Sequence, residues 1–206
     1  MELLDAVEIR VLGALMEKEA TTPEYYPLSL NALLNACNQK TNREPVTSYD
    51  EDTVADALAS LREKRFALTI TGGSRVNKYQ QRISETLNLG RRESAVLCVL
   101  FLRGPQTLGE IKDRSERMFS FADLAETEAV LEKLDTLVKK LPRLPGQKEA
   151  RYVHLLSGEP DLEAMAEPSS SAPPGRVAQL EQDLRDLRSE FDELKRRFEA
   201  LESQLR

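Results

Sequence analysis

From Asp5 onward the apolar residues Val7, Val11, Leu12 and Leu15 recur at helical spacing, and Asp5 with Glu8 forms an N-terminal capping pair. The pattern predicts a first helix over about 5–19. A break containing Thr21, Thr22, Pro23 and Pro27 leads to Ser29, a good N-cap, and then to Leu30, Leu33, Leu34 and Cys37 on one face of a second helix. After the polar loop Asn38 to Thr47, Ser48 and Glu51 read as another capping box. Val54, Leu58 and Leu61 then mark a third helix ending near Arg65. Phe66 to Thr71 is apolar and β-branched, Gly72-Gly73-Ser74 signals a turn, and Val76 to Ile83 returns as a second strand. Three helices followed by a hairpin predict a winged helix.

The same order recurs, and self-similarity of this kind points to duplicated units. Val96, Leu97, Val99 and Leu100 repeat the first helix, and Thr107 with Glu110 is the capping box of a short second helix through Leu108 and Ile111. Val130, Leu134 and Leu137 match Val54, Leu58 and Leu61 at an offset of 76, while Tyr152 and Leu156 match Tyr79 and Ile83 at 73, with Pro145-Gly146 in the hairpin turn. The expected fold is therefore mainly α with small β-hairpins: a winged-helix domain over 1–86 and another over 87–157. Ser, Pro, Gly, Ala and Glu dominate 158–175, the composition of a flexible linker.

A coiled-coil helix is expected over 176–206. Apolar residues fall there at Val177, Leu180, Leu184, Leu187, Phe191, Leu194, Phe198, Leu201 and Leu205, an unbroken 3,4 spacing with Leu at every d position. In a parallel in-register dimer Arg176 meets Glu181, Asp183 meets Arg188, Glu190 meets Lys195 and Arg197 meets Glu202, and all four pairs attract. Full antiparallel overlap would oppose Glu181 to Glu202 and Arg188 to Lys195. The pattern predicts a parallel homodimer.

Charge narrows the choice of partner. The net charge is -6. Residues 1–85 carry 10 basic and 13 acidic side chains, 86–160 carry 12 and 11, and 161–206 carry 7 and 11, so no domain has the strong positive excess that phosphate binding favours. The chain starts with no secretory pattern and contains no run of about 20 apolar residues, which predicts a cytoplasmic protein without a membrane segment. Cys37 and Cys98 lie within apolar helical patterns, as buried hydrophobes do. His154, the single histidine, has no cysteine or carboxylate cluster at ligand spacing beside it, and Gly72-Gly73-Ser74-Arg75 lacks the lysine of a phosphate loop. No metal, no cofactor and no catalytic residue is expected.

The run from Thr22 to Val46, TPEYYPLSLNALLNACNQKTNREPV, resembles the signature of the YceH family of bacterial proteins. The likeness continues through Leu102-Arg103-Gly104-Pro105-Gln106-Thr107, Gly109-Glu110 and Arg114 to Arg117, and covers about 3–157. It implies two winged-helix domains and a heptad tail, and it implies no activity.

Two partners besides a second copy of the chain remain: duplex DNA and another protein. A DNA-binding transcriptional regulator would use the amides and cations Asn38, Gln39, Lys40, Asn42 and Arg43 of the long loop, with Arg75 and Lys78 of the first hairpin. An interaction scaffold would instead use the acidic third helices, which carry Asp50, Glu51, Asp52 and Asp56 in the first domain. The second has Asp123, Glu126, Glu128, Glu132 and Asp135.

Overall fold

The structure, a computed structural model, describes residues 2–71, 76–143, 147–160 and 195. It is mainly helical with small antiparallel sheets, as the residue pattern predicts. The expected linker beyond Pro160 and the dimerisation residues Val177, Leu180, Leu184, Leu187, Phe191, Leu194, Phe198, Leu201 and Leu205 lie outside the described residues.

Helix α1 (Ala6–Thr21) opens with the expected capping box: the Asp5 carboxylate accepts the Val7 and Glu8 amides, and Glu8 accepts the Asp5 amide at 2.8 Å. A 3-10 turn (Pro23–Tyr25) and strand β1 (Leu28–Ser29) lead to α2 (Leu30–Cys37), whose N-cap Ser29 accepts the Ala32 amide. Helix α3 (Glu51–Glu63) starts later than the Ser48 box implies. Its N-cap is Asp50, which accepts the Thr53 amide at 2.8 Å. The reason lies in Asn38, whose side chain donates to the Tyr49 carbonyl at 2.8 Å and accepts the Tyr49 amide at 2.9 Å. That two-point grip ties up Tyr49 outside any helix, so the first turn forms only beyond it.

Helix α3 ends where Arg65 takes a left-handed conformation (φ 61°) and the Phe66 amide reaches back to the Leu61 carbonyl at 2.8 Å. Strands β2 (Ala67–Ile70) and β3 (Lys78–Gln81) then pair antiparallel, Ala67 opposite Gln81 and Ile70 opposite Lys78. Strand β1 adds to the free edge of β3 with Leu28 opposite Tyr79, giving the order β1-β3-β2. The short α4 (Ile83–Thr86) buries Ile83 and completes this half.

The second half repeats the plan in α5 (Arg91–Arg103), α6 (Leu108–Ser115), α7 (Leu124–Lys133), β4 (Val138–Lys140) and β5 (Tyr152–His154). Thr107 and Glu110 form the predicted capping box. A single bridge between Gln106 and Tyr152 stands where β1 meets β3 in the first half. The caps and the sheets set the internal register. Asp50 and Asp123 each accept the amide three residues on, and they are 73 residues apart. At that spacing the buried Val54, Ala57, Leu58 and Leu61 fall on the buried Thr127, Val130, Leu131 and Leu134. The offset of 76 read from the apolar stripe is therefore one turn too long. A slip of three residues along a helix lays one stripe on itself, so periodicity alone cannot distinguish the two registers.

Residues 2–160 belong to one compact unit, and most of its buried apolar side chains form one cluster. Within it α1 packs against α5, at Gly13 on one side and Cys98, Phe101 and Leu102 on the other. Gly13 makes the close approach possible, since a Cβ there would lie 2.9 Å from Leu102 Cδ2 and 3.0 Å from Phe101 Cβ. Beside it the Cys98 thiol donates to the Gly13 carbonyl at 3.4 Å. No helix among the described residues is long and apolar enough to cross a membrane.

Candidate functional site

The loop between α2 and α3 was expected to offer amides and cations to phosphate, and its construction decides which of them are available. An α-helix leaves its last carbonyls without partners. Here two buried guanidiniums supply them. Arg43 Nε donates to the Ala36 carbonyl at 3.0 Å, and Arg10 donates to the Cys37 carbonyl at 3.3 Å and to the Pro45 carbonyl at 2.6 Å. Arg43 then grips the Glu17 carboxylate with both terminal nitrogens, at 3.1 and 2.6 Å, and its side chain is fully buried. Burial alone would raise the Glu17 pKa, yet the hydrogen bonds and charges of Arg43 and Lys18 hold it below the usual carboxylate value. Arg43 thus leaves the set of phosphate-contacting cations: it is an internal staple.

Asn38 is similarly occupied, by the Tyr49 backbone. Gln39 accepts from Lys18 Nζ at 3.4 Å. Asn42, in a left-handed conformation (φ 60°), gives its carbonyl to Arg43 and its side-chain oxygen to Arg103 of α5. The Glu44 amide donates to the Leu102 carbonyl at 2.8 Å, so the loop is moored to the second half of the protein. Lys40 is exposed at its tip.

Around the first hairpin, Lys64 is taken up by the buried Glu8, with Nζ 2.6 Å from Oε1 and 2.8 Å from Oε2. Burial raises the Glu8 pKa, but hydrogen bonds from Lys64, Ser60 and the Asp5 amide, with the Lys64 charge, lower it further than burial raises it. Arg82 pairs with Glu85 at 3.1 Å. Arg62 and Arg65 remain exposed, Lys78 is half-buried in β3, and Arg75 lies outside the described residues.

The acidic surface is less encumbered. Glu51, Asp52 and Asp56 of α3 are exposed, and hydrogen bonds from Thr53 hold the Asp50 cap below its usual pKa. On α7, Glu126 pairs with Arg92 at 3.1 Å and Glu128 with Lys140 at 3.6 Å, while Glu132 is exposed; Asp135, expected on this helix, is exposed in the turn that follows it. Cys37 is buried and its thiol is pushed up to about 12 by desolvation, against the charges of Arg43 and Arg10. Burial holds His154 down to about 4, with its ring edge-on to Phe101 at 5.0 Å. Among the described residues no group of three or more His, Cys, Asp or Glu is placed to hold a metal.

A family profile described as "Protein of unknown function, DUF480" matches residues 4–147. The chain belongs to the DUF480 family. Relatives named UPF0502 protein bear this out along most of the length. The one from Solibacter usitatus is 54% identical over 202 residues, 95% of this chain and 98% of the relative. The one from Citrifermentans bemidjiense is 53% identical and covers 88% of each chain. That from Vibrio parahaemolyticus is 49% identical over 96% of this chain and 97% of its own. The resemblance to the YceH family carried by Thr22 to Val46 agrees with this membership. Within this DUF480 chain the same motif builds the stapled loop.

Proposed function

We propose that the chain is a non-enzymatic, cytoplasmic protein of two tandem winged helices, joined by a parallel C-terminal coiled coil into a homodimer, whose acidic third helices dock a basic surface of another protein. The winged-helix reading is supported by the order α1-β1-α2-α3-β2-β3, by the sheet order β1-β3-β2, and by its repetition after Gly90. The dimer rests on the heptads from Val177 to Leu205.

The partner class rests on the surface of α3. In a helix-turn-helix the start of this helix faces base edges and phosphates. Here that position presents Glu51, Asp52 and Asp56 to solvent, and the nearby Arg43 is buried against Glu17. Carboxylates so placed repel phosphate and attract lysine or arginine.

A second reading, a DNA-binding regulator, is favoured by the exposed Lys40, Arg62 and Arg65, by Lys78 of β3, and by Arg75, which falls between β2 and β3 in the sequence. Fluorescence anisotropy of the full chain with random duplex DNA, at about 50 and 200 mM salt, separates the two because phosphate contacts weaken steeply over that range. The scaffold reading expects no binding at either salt, together with a protein partner that survives nuclease treatment and is lost in a Glu51→Lys/Asp52→Lys variant. Binding at low salt that collapses at high salt, and is lost in Arg75→Gln/Lys78→Gln, would transfer the function to DNA.

A further inference from the structure

A cleft of about 200 Å³ opens beside the stapled loop, between α1, α5 and α6, and three arginines line it: Arg103, Arg114 and Arg117. Like charges repel, so three guanidiniums around one small space need an explanation. Two of them are held in place by purpose-built partners. Asn42, left-handed in its loop, accepts from Arg103. Gln106 is 1% exposed and accepts from Arg114, while its own amide nitrogen donates to the Arg103 and Pro105 carbonyls, each at 2.9 Å. Arg114 also touches Glu110 at 3.3 Å, but that carboxylate is shared with Arg151 at 3.0 Å. Arg117 is exposed and has no ion-pair partner among the described residues.

The acids nearby do not balance these charges. Glu17 lines the cleft but is neutralised by Arg43 and Lys18, and Asp113 is the other lining carboxylate. Together with Glu44, which acts on Arg103 from beside the cleft, the lining residues and their ion-pair partners comprise five cations and four carboxylates. Burial, and then the charge of Arg114, weakens the hold of Arg103 on its proton, against the charges of Glu44 and Glu17.

We infer that this cleft binds a small phosphate dianion, either inorganic phosphate or the phosphoryl group of a phosphomonoester. Guanidinium forks match phosphate oxygens in pairs, and a bound anion answers the remaining positive charge. At about 30 Å³ per water, the cleft holds a phosphoryl group and a few waters, less than the roughly 300–1,000 Å³ of sites for drug-sized ligands. Because its lining comes from Thr21 of α1, the Asn42 loop and α5 and α6 of the second half, a bound anion bridges the two halves.

Isothermal titration of the full chain with inorganic phosphate and with glycerol phosphate, at constant ionic strength, tests this. Saturable binding is expected, and whichever of the two ligands binds tighter identifies the source. The exposed Arg117→Gln should weaken it about tenfold or more, the scale of a lost charge-assisted hydrogen bond. Asp113→Asn should tighten it severalfold by removing a like charge, and Arg62→Gln, remote from the cleft, should leave it unchanged. No saturable heat up to about 10 mM phosphate would overturn the inference, as would binding indifferent to Arg117→Gln. Binding confined to duplex DNA and lost in Arg117→Gln would overturn it in favour of a nucleic-acid backbone.

Discussion

Replacing Arg43 by Ala removes the staple at the centre of the loop. The carboxylate of Glu17 would keep only Lys18, at 3.4 Å, in place of two guanidinium contacts, and the Ala36 carbonyl would lose its donor. Breaking a buried ion pair from one side costs about 3–5 kcal/mol, and the surviving Lys18 contact puts the expectation near the lower end, about 3 kcal/mol. For a unit of this size that loss lowers Tm by about 6–12 °C. Differential scanning calorimetry and urea unfolding of the full chain measure it. Glu17→Gln supplies the second side of a double-mutant cycle, and a coupling of at least about 1 kcal/mol is expected for groups in direct contact. Arg43→Lys, which keeps the charge and loses the two-nitrogen grip, should fall between wild type and Arg43→Ala. An Arg43→Ala protein melting within about 2 °C of wild type would refute the reasoning and return Arg43 to the candidates for an external anion.

Three further expectations follow from the same geometry. Gly13→Ala gains about 1 kcal/mol of helix propensity but pushes into Leu102 and Phe101, where overpacking costs about 1–3 kcal/mol, so a net Tm loss of a few degrees is expected and a gain would show that α1 and α5 yield easily. His154, held to about 4 in the fold against an ordinary 6.5, binds its proton better in the unfolded chain. Stability present above pH 6.5 is therefore lost as pH falls toward 4, by up to about 3 kcal/mol, and His154→Leu should flatten that window in pH-dependent urea titrations. An unchanged slope would remove His154 from the account. If the proposed coiled coil joins two chains, the full chain sediments as a dimer at micromolar concentration in analytical ultracentrifugation and Leu184→Asp with Leu187→Asp as a monomer; a dimer that persists in the variant would place self-association elsewhere.

Elements that depend on short-range pattern were readable in the residues. The Asp5/Glu8 and Thr107/Glu110 boxes, the Ser29 cap and the Ala67–Ile70 hairpin strand all depend on neighbours within a few positions. What escaped the sequence depends on distant partners. Ser48 satisfies the local rule for a cap as well as Asp50 does, and only the grip of Asn38 on Tyr49 selects between them. Arg43 has the composition of a phosphate contact, and its partner Glu17 stands 26 residues upstream on α1. Lys64 likewise reads as one of a basic run until the fold brings Glu8 to it. The arginine cleft left a trace only in the run Leu102 to Arg117, where Gln106 and Arg114 are spaced so that a buried amide can reach a guanidinium.

The contact of α1 with α5 resembles the interface of a two-chain complex that has been tied together by the short segment Leu87–Gly90. A short tether fixes the partners' effective concentration near the millimolar range, so even a modest interface stays closed at any dilution. Hydrolysis of one peptide bond in that segment would change no atom of the interface and yet make its closure depend on protein concentration.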